Sequence, residues 1–242
     1  MPLFGRIEHP LTVASLLKTP FMKTFPRALI FDLNGTMIND MEYHMNAWSD
    51  ILNNDLNARL SREQVRSQMY GKNSELLVRI FGPDRFSPEE MDRWSLEKEK
   101  RYQRAFLPEL KLIPGLGAFL QKAFDAHVPM AIGSAAIPFN IDFVLDNLHI
   151  RKYFKAIVSA DDVSISKPHP ETFTQAAALL GTDPSQCLLF EDAPKGIEAG
   201  ERAGMPAVVL MTMHNRQEFS QYPNVLHFIN DYTDPFILGL LN

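Results

Sequence analysis

Asp32 stands in the run Phe31-Asp32-Leu33-Asn34-Gly35-Thr36, directly after the apolar residues Ala28-Leu29-Ile30. A lone carboxylate on the turn leaving a buried strand lies where open parallel sheets bind ligands, outside the carboxyl ends of their strands. With Gly35 behind it, the turn offers a phosphate both a nucleophilic side chain and a backbone N–H. Three further clusters have this character. Ile132-Gly133-Ser134-Ala135 puts a small hydroxyl beside a glycine, and Ser166-Lys167-Pro168-His169-Pro170 holds a lysine ahead of a helix whose first turn is set by Pro170. Glu191-Asp192-Ala193-Pro194-Lys195-Gly196 carries two adjacent acids after an apolar run. Singly, each has an ordinary explanation: Ser134 as a turn or cap, Lys167 as a surface lysine, Asp192 as the N-cap of a helix over 194–203. Together they imply more. If Asp32, Glu191 and Asp192 converge, two like charges about 4 Å apart cost about 4 kcal/mol at an effective dielectric of about 20. A hard divalent cation answers that repulsion, and Mg²⁺ takes oxygen ligands from one or two carboxylates, water and substrate phosphate. Lys167 would add the remaining positive charge.

The elements that must position these residues are legible as two alternating patterns. Apolar runs at 28–32, 128–133, 155–158, 187–190 and 206–210 have strand length without polar alternation, as in parallel strands covered on both faces. Leu116, Phe119, Leu120, Ala123 and Phe124 recur at helical spacing, as do Phe173, Ala176, Ala177 and Leu180, with Gly181 and Gly204 where helix ends are expected. This β-α-β repetition predicts an α/β fold, a doubly wound parallel sheet of Rossmann-like form. Between the first two strands the chain reads as helices only: Met41, Met45, Trp48, Leu52 and Leu56 form a stripe. Ser61-Arg62-Glu63-Gln64 is a capping box, and Ser87-Pro88-Glu89-Glu90 supplies an N-cap, a first-turn proline and an acid. The expected division is an N-terminal arm at 1–25, a core at 26–38 and 110–242, and an inserted all-helical cap domain at 39–109. Its tethers would lie near 37–41 and 107–113, with Pro108 and Pro114 stiffening the second.

At 242 residues, 45% hydrophobic and 22% charged, the chain can bury one core and a smaller satellite. A net charge of −5 gives no basic field for nucleic acid, and the dense stretch Lys98 to Arg104 is interleaved with glutamates and reads mainly as a solvated helix face. No apolar run approaches the roughly 20 residues that span a bilayer, and no signal pattern opens the chain, so neither a membrane nor nucleic acid is an expected partner and the expected location is cytoplasmic. The single Cys187, inside an apolar run, excludes an intramolecular disulfide and reads as a buried strand residue.

The order Asp-x-x-Gly-Thr, Ser, Lys-Pro, Glu-Asp resembles the four motifs of the haloacid dehalogenase (HAD) superfamily. Residues 31–48, with the steps Glu42-Tyr43-His44 and Ala47-Trp48, look like the opening of its β-phosphoglucomutase-like branch. The resemblance implies a HAD core with a helical cap, and a Mg²⁺-dependent phosphatase acting on a small phosphorylated metabolite such as a sugar phosphate, as a monomer or weak homodimer. It assigns Asp32 as the nucleophile that becomes an aspartyl-phosphate, Ser134 and Lys167 to the transferring phosphoryl group, and Asn34 to the position that normally carries the acid/base aspartate. Mg²⁺ would be held by Asp32, the backbone carbonyl of Asn34, Asp192 and, through water, Glu191. Gly35, Thr36, Ala135, the junction residue His44, the loop residues Gly71 and Lys72, and Lys98 would bind substrate. Two departures weigh against a mutase: Ser74 stands where the mutase carries an Arg, and Ala136-Ile137-Pro138 replaces Ser-Lys-Asn, so the grip on a second phosphate is missing. Asn34 cannot carry a proton, which predicts slow turnover that Asn34→Asp would raise, and also admits a relative that binds without catalysis. The pair Asn34-Gly35 is, in addition, prone to deamidation.

Overall fold

The computed structural model describes residues 26–241, so the reading of 1–25 as an arm lies outside the described residues. The five apolar runs form strands: β1 (Ala28–Phe31), β2 (Met130–Gly133), β3 (Ala156–Val158), β4 (Cys187–Glu191) and β5 (Ala207–Leu210). Because side chains alternate faces, Leu29, Phe31, Leu188, Phe190, Val208 and Leu210 pack into one apolar cluster while Ala28, Ile30, Cys187, Leu189, Ala207 and Val209 pack into another. Burial on both faces explains the absence of polar alternation. Burial, with Asp183 nearby, also pushes the Cys187 thiol up to about 12, which leaves it an inert core residue.

A sixth strand, β6 (Val225–Ile229), was not expected. It is half-exposed at the sheet edge and His227 interrupts its apolar run, so it lacks the signature of the inner strands. The order is β3-β2-β1-β4-β5-β6 and every pairing is parallel.

Between β1 and β2 lie α1 (Met41–Asp50), α2 (Arg62–Gln68), α3 (Asn73–Phe81) and α4 (Pro88–Phe106). A π-helical segment, Ile51–Asp55, continues α1. The capping boxes at Ser61 and Ser87 both form. Met45, Trp48, Leu52, Val65, Leu76 and Leu77 bury together in a cluster separate from the two that flank the sheet. The chain leaves and re-enters the sheet layer side by side, since Ile113 N–H donates to Met37 O at 2.9 Å and Ile38 bridges Leu112. The stretch from Lys98 is not the solvated face expected of it: α4 packs along α1, and Lys98, Glu99 and Tyr102 are buried.

α5 (Leu116–Asp125) lies between the helical insertion and β2, and after β2 come α6 (Pro138–Asn147), α7 (Glu171–Leu180), α8 (Pro194–Arg202) and the short α9 (Pro235–Gly239). Pro170 occupies the cap position of α7 rather than its first turn, and the cap position of α8 is Ala193, not Asp192. Asp192 is thereby left for another purpose.

Candidate active site

Strands β1 and β4 pair in register with Phe31 opposite Phe190, so Asp32 and the pair Glu191-Asp192 leave the sheet at one edge. Each offers a carboxylate oxygen, and these oxygens lie within 4.8 Å of one another, all buried. Lys167 enters from the loop before α7 and donates to Asp32 Oδ1 at 2.7 Å and to Glu191 Oε2 at 2.9 Å. The ordinary reading of Lys167 as a surface lysine fails, because it is 8% exposed. Burial would lower its pKa, but Asp32 and Glu191 outweigh that and hold it above the usual lysine range.

The glycines let the acids in. At Gly35, in left-handed backbone at φ +79°, a Cβ would collide with the Asp192 carboxylate, and at Gly196 it would collide with that of Glu191. Asp192 Oδ1 accepts from Thr36 Oγ1 at 3.3 Å, and the Asp192 and Ala193 N–H groups close onto Glu191 Oε1 at 3.1 and 3.0 Å.

One ammonium against three carboxylates leaves excess negative charge in a buried site. Burial foremost, then Glu191, pushes Asp32 up to about 7 despite Lys167, and burial with Glu191 and Asp32 raises Asp192 well above the usual range. Three converging oxygens short of positive charge fit a hard divalent cation. The sign of the resulting pH dependence follows. Between the ordinary aspartate value of 3.8 and about 7, folded Asp32 keeps a proton that the unfolded chain has released, so stability without metal falls as pH rises through that window and is lowest above it. Calorimetric scans should therefore show Mg²⁺ raising Tm more at pH 8 than at pH 5, where protons occupy the same oxygens. A flat profile, or a Mg²⁺ effect that survives Asp192→Ala, would remove the metal site.

These acids form the floor of a cavity of about 950 Å³ roofed by α1 to α4. Asn34, His44, Gly71, Lys72, Lys98, Ser134 and Ala135 line it as expected, together with Asp32, Lys167, Glu191 and Asp192. Gly35 and Thr36 do not line it. Thr36 is fully buried behind Asp192, and the Gly35 N–H is already bound to Ile38 O at 2.8 Å and Asp40 Oδ1 at 3.2 Å, so it is not a free phosphate donor. Ser134 Oγ accepts the Ala136 N–H at 3.1 Å, so its turn role and its place on the cavity wall coexist. His44 is no helix-surface residue either: it is 7% exposed and stacks on Tyr102 with ring centroids 3.7 Å apart.

Several polar residues on the wall or buried behind it escaped the sequence reading. Glu99 accepts from Lys98 at 3.0 Å, Asn73 at 2.7 Å and Asn140 at 2.6 Å. Burial would raise it, but the Lys98 ammonium foremost, with the hydrogen bonds from Asn73 and Lys98, holds it below the usual carboxylate range. Asp40, fully buried, accepts from Asn34 Nδ2 and Tyr102 Oη, both at 2.6 Å. The only sequence signal for it was an acid shortly after Asn34 and one helical turn before His44. Lys72 Nζ donates to Val163 O at 2.8 Å and Ser166 Oγ to Glu75 Oε1 at 2.9 Å, which ties the helical roof to the lysine loop.

Residues 29–210 match the model of the haloacid dehalogenase-like hydrolases. The chain is 30% identical over 185 residues to the fructose-1-phosphate phosphatase YqaB of Escherichia coli, covering 74% of this chain and 94% of that protein. It is 33% identical over 196 residues to the β-phosphoglucomutase of Bacillus subtilis, covering 75% and 82%. The β-phosphoglucomutase structure from Clostridium difficile superposes with a TM-score of 0.76 at 26% identity, covering 89% of this chain and 97% of that one. The six-stranded parallel sheet, the acids gathered at its edge and the match over most of the length agree, and the chain belongs to the haloacid dehalogenase-like hydrolases.

Proposed function

We propose that this protein is a phosphatase for a small sugar phosphate, with Asp32 as nucleophile. The observation that carries the reading is Asp32 at the cavity floor with Oδ1 held by Lys167, which leaves Oδ2 to attack. Oδ2 forms a bond to phosphorus as the bond to the sugar oxygen breaks in line, giving an aspartyl-phosphate and a sugar alkoxide that takes its proton from solvent water; a water molecule then attacks phosphorus, loses a proton to solvent, and releases inorganic phosphate and the Asp32 carboxylate. Lys167 favours the ionised form of Asp32 and orients it, and Ser134 faces the transferring phosphoryl oxygens. Asp32, Asp192, Glu191 and the Asn34 carbonyl would hold Mg²⁺, which supplies positive charge against the phosphate when bound. The helices over 39–109 serve as a cap that selects substrate.

The E. coli relative's name supports a hexose phosphate. Against a mutase, each Lys or Arg on the cavity wall already has a protein partner. Arg66 donates to Met213 O, Lys72 to Val163 O and Lys98 to Glu99, Lys167 binds the acids, and Lys195 pairs with Glu198. A second phosphate would find no dedicated cation there, only the N–H groups left over on one of these. The B. subtilis relative favours the mutase as the second reading. A panel of sugar monophosphates with Mg²⁺ decides between them: phosphate release supports the hydrolase, and efficient interconversion of glucose 1-phosphate and glucose 6-phosphate overturns it. Lys72→Ala should shift KM or substrate rank about tenfold while leaving the phosphorylation of Asp32 by acetyl phosphate within about twofold. An equal loss in both would place Lys72 in the chemistry instead.

A further inference from the structure

Asp40 sits at the N-cap position of α1, where an aspartate ordinarily accepts a backbone N–H from the first turn, yet its side chain makes no such bond. Instead the carboxylate collects donors from around residue 34. Oδ2 takes Asn34 Nδ2 at 2.6 Å and Tyr102 Oη at 2.6 Å and lies 3.2 Å from His44 Nε2, which is itself 3.1 Å from Asn34 Nδ2, and Oδ1 takes the Gly35 N–H at 3.2 Å. The orientation of the Asn34 amide follows from chemistry: a carboxylate is acceptor-only, so the atom 2.6 Å from it must be the NH₂. The histidine follows likewise. Lys98 Nζ lies 2.6 Å from Nδ1 and can only donate, so Nε2 carries the hydrogen and also faces Asp40. With Nδ1 held by Lys98 and Nε2 enclosed by Asn34 and Asp40, His44 is not a free proton carrier. Among the described residues Asn34 Oδ1 has no protein hydrogen-bond partner, and Asn34 lines the cavity beside Asp32.

We infer that Asp40 is a positioning residue. By taking one amide N–H it turns Asn34 Oδ1 toward the reacting phosphate, where Oδ1 accepts a hydrogen from the water that attacks the aspartyl-phosphate. This rests on Asp32 being the nucleophile. A departing alkoxide has no hydrogen to offer Oδ1, so the pair acts on the second half-reaction and not the first. It also alters what Asn34→Asp alone can do: two acceptor-only carboxylates would meet in the buried contact now spanned by an N–H. The arrangement works in the amide–acid order or, with donor and acceptor reversed, in the acid–amide order.

A square of variants at 34 and 40, in the full chain with Mg²⁺, tests this. Asp40→Asn should lower kcat and KM together by about tenfold, with kcat/KM within about twofold, because kcat/KM reports only steps through departure of the sugar. Phosphorylated Asp32 should accumulate with acetyl phosphate as donor. Asn34→Asp should lower Tm and kcat, and the double exchange Asn34→Asp with Asp40→Asn should recover Tm and exceed Asn34→Asp in kcat. A merely structural Asp40 would lower kcat/KM along with kcat, which overturns the proposal, as would an Asn34→Asp protein at least as stable and active as the double exchange. If Asp40→Asn fails to fold, the comparison of Asn34→Asp with the double exchange still decides. Absence of label on Asp32 in all four proteins, with the Tm pattern intact, refutes the phosphatase reading and the kinetic half of the inference. Label in the parent protein with an unresponsive Asp40→Asn refutes the inference alone.

Discussion

Asp32→Asn should abolish covalent phosphorylation of the chain and lower phosphate release by about four decades or more, with the fold intact. The amide has the size of the acid but no nucleophilic oxygen. Because the wild-type carboxylate is pushed up to about 7 by burial and Glu191, removing its charge relieves repulsion, and Lys167 keeps Glu191 as a partner at 2.9 Å. Tm without metal above pH 7 should therefore be unchanged or higher while activity disappears. Mass spectrometry of the chain after acetyl phosphate treatment, beside a thermal scan, checks both. Residual turnover near the parent level would move the nucleophile elsewhere.

The second large effect concerns the leaving group. Asn34 cannot protonate a departing oxygen, His44 is held at Nδ1 by Lys98 with its Nε2 enclosed by Asn34 and Asp40, and Asp40 lies behind them, fully buried. Aryl and acyl phosphates, whose leaving oxygens need little protonation, should phosphorylate Asp32 about 10²- to 10⁴-fold faster than alkyl phosphates, the range that general acid catalysis commonly contributes. The phosphoenzyme should then persist, and single-turnover rates across a leaving-group series measure the dependence. A slope near zero would mean that a proton carrier is present after all. Conversion of Asn34 to aspartate in stored protein would confuse the assay, so the 28–59 peptide should be weighed alongside it. The structure opposes that conversion, because the Gly35 nitrogen that would attack the amide is held by Ile38 O at 2.8 Å.

The residues along the chain determined the strands β1 to β5 through their unbroken apolar runs, the two capping boxes through their spacing, and the motif acids and Lys167 through their positions at strand ends. These signals are local: period, turn chemistry and sequence order survive without knowledge of what packs where. The edge strand β6 was invisible because a half-exposed edge needs no apolar run. The burial of Lys98 and Glu99 was invisible because a charged helix face reads as solvated until another helix is laid against it, and α1 supplies that contact. Above all, the sequence presented Asn34 as a missing acid, whereas folding sets Asp40 2.6 Å from its amide and gives the pair one hydrogen-bond polarity. Which acceptor meets which donor inside a buried cluster depends on distances of a few tenths of an ångström between separate elements. Tertiary packing alone decides those distances.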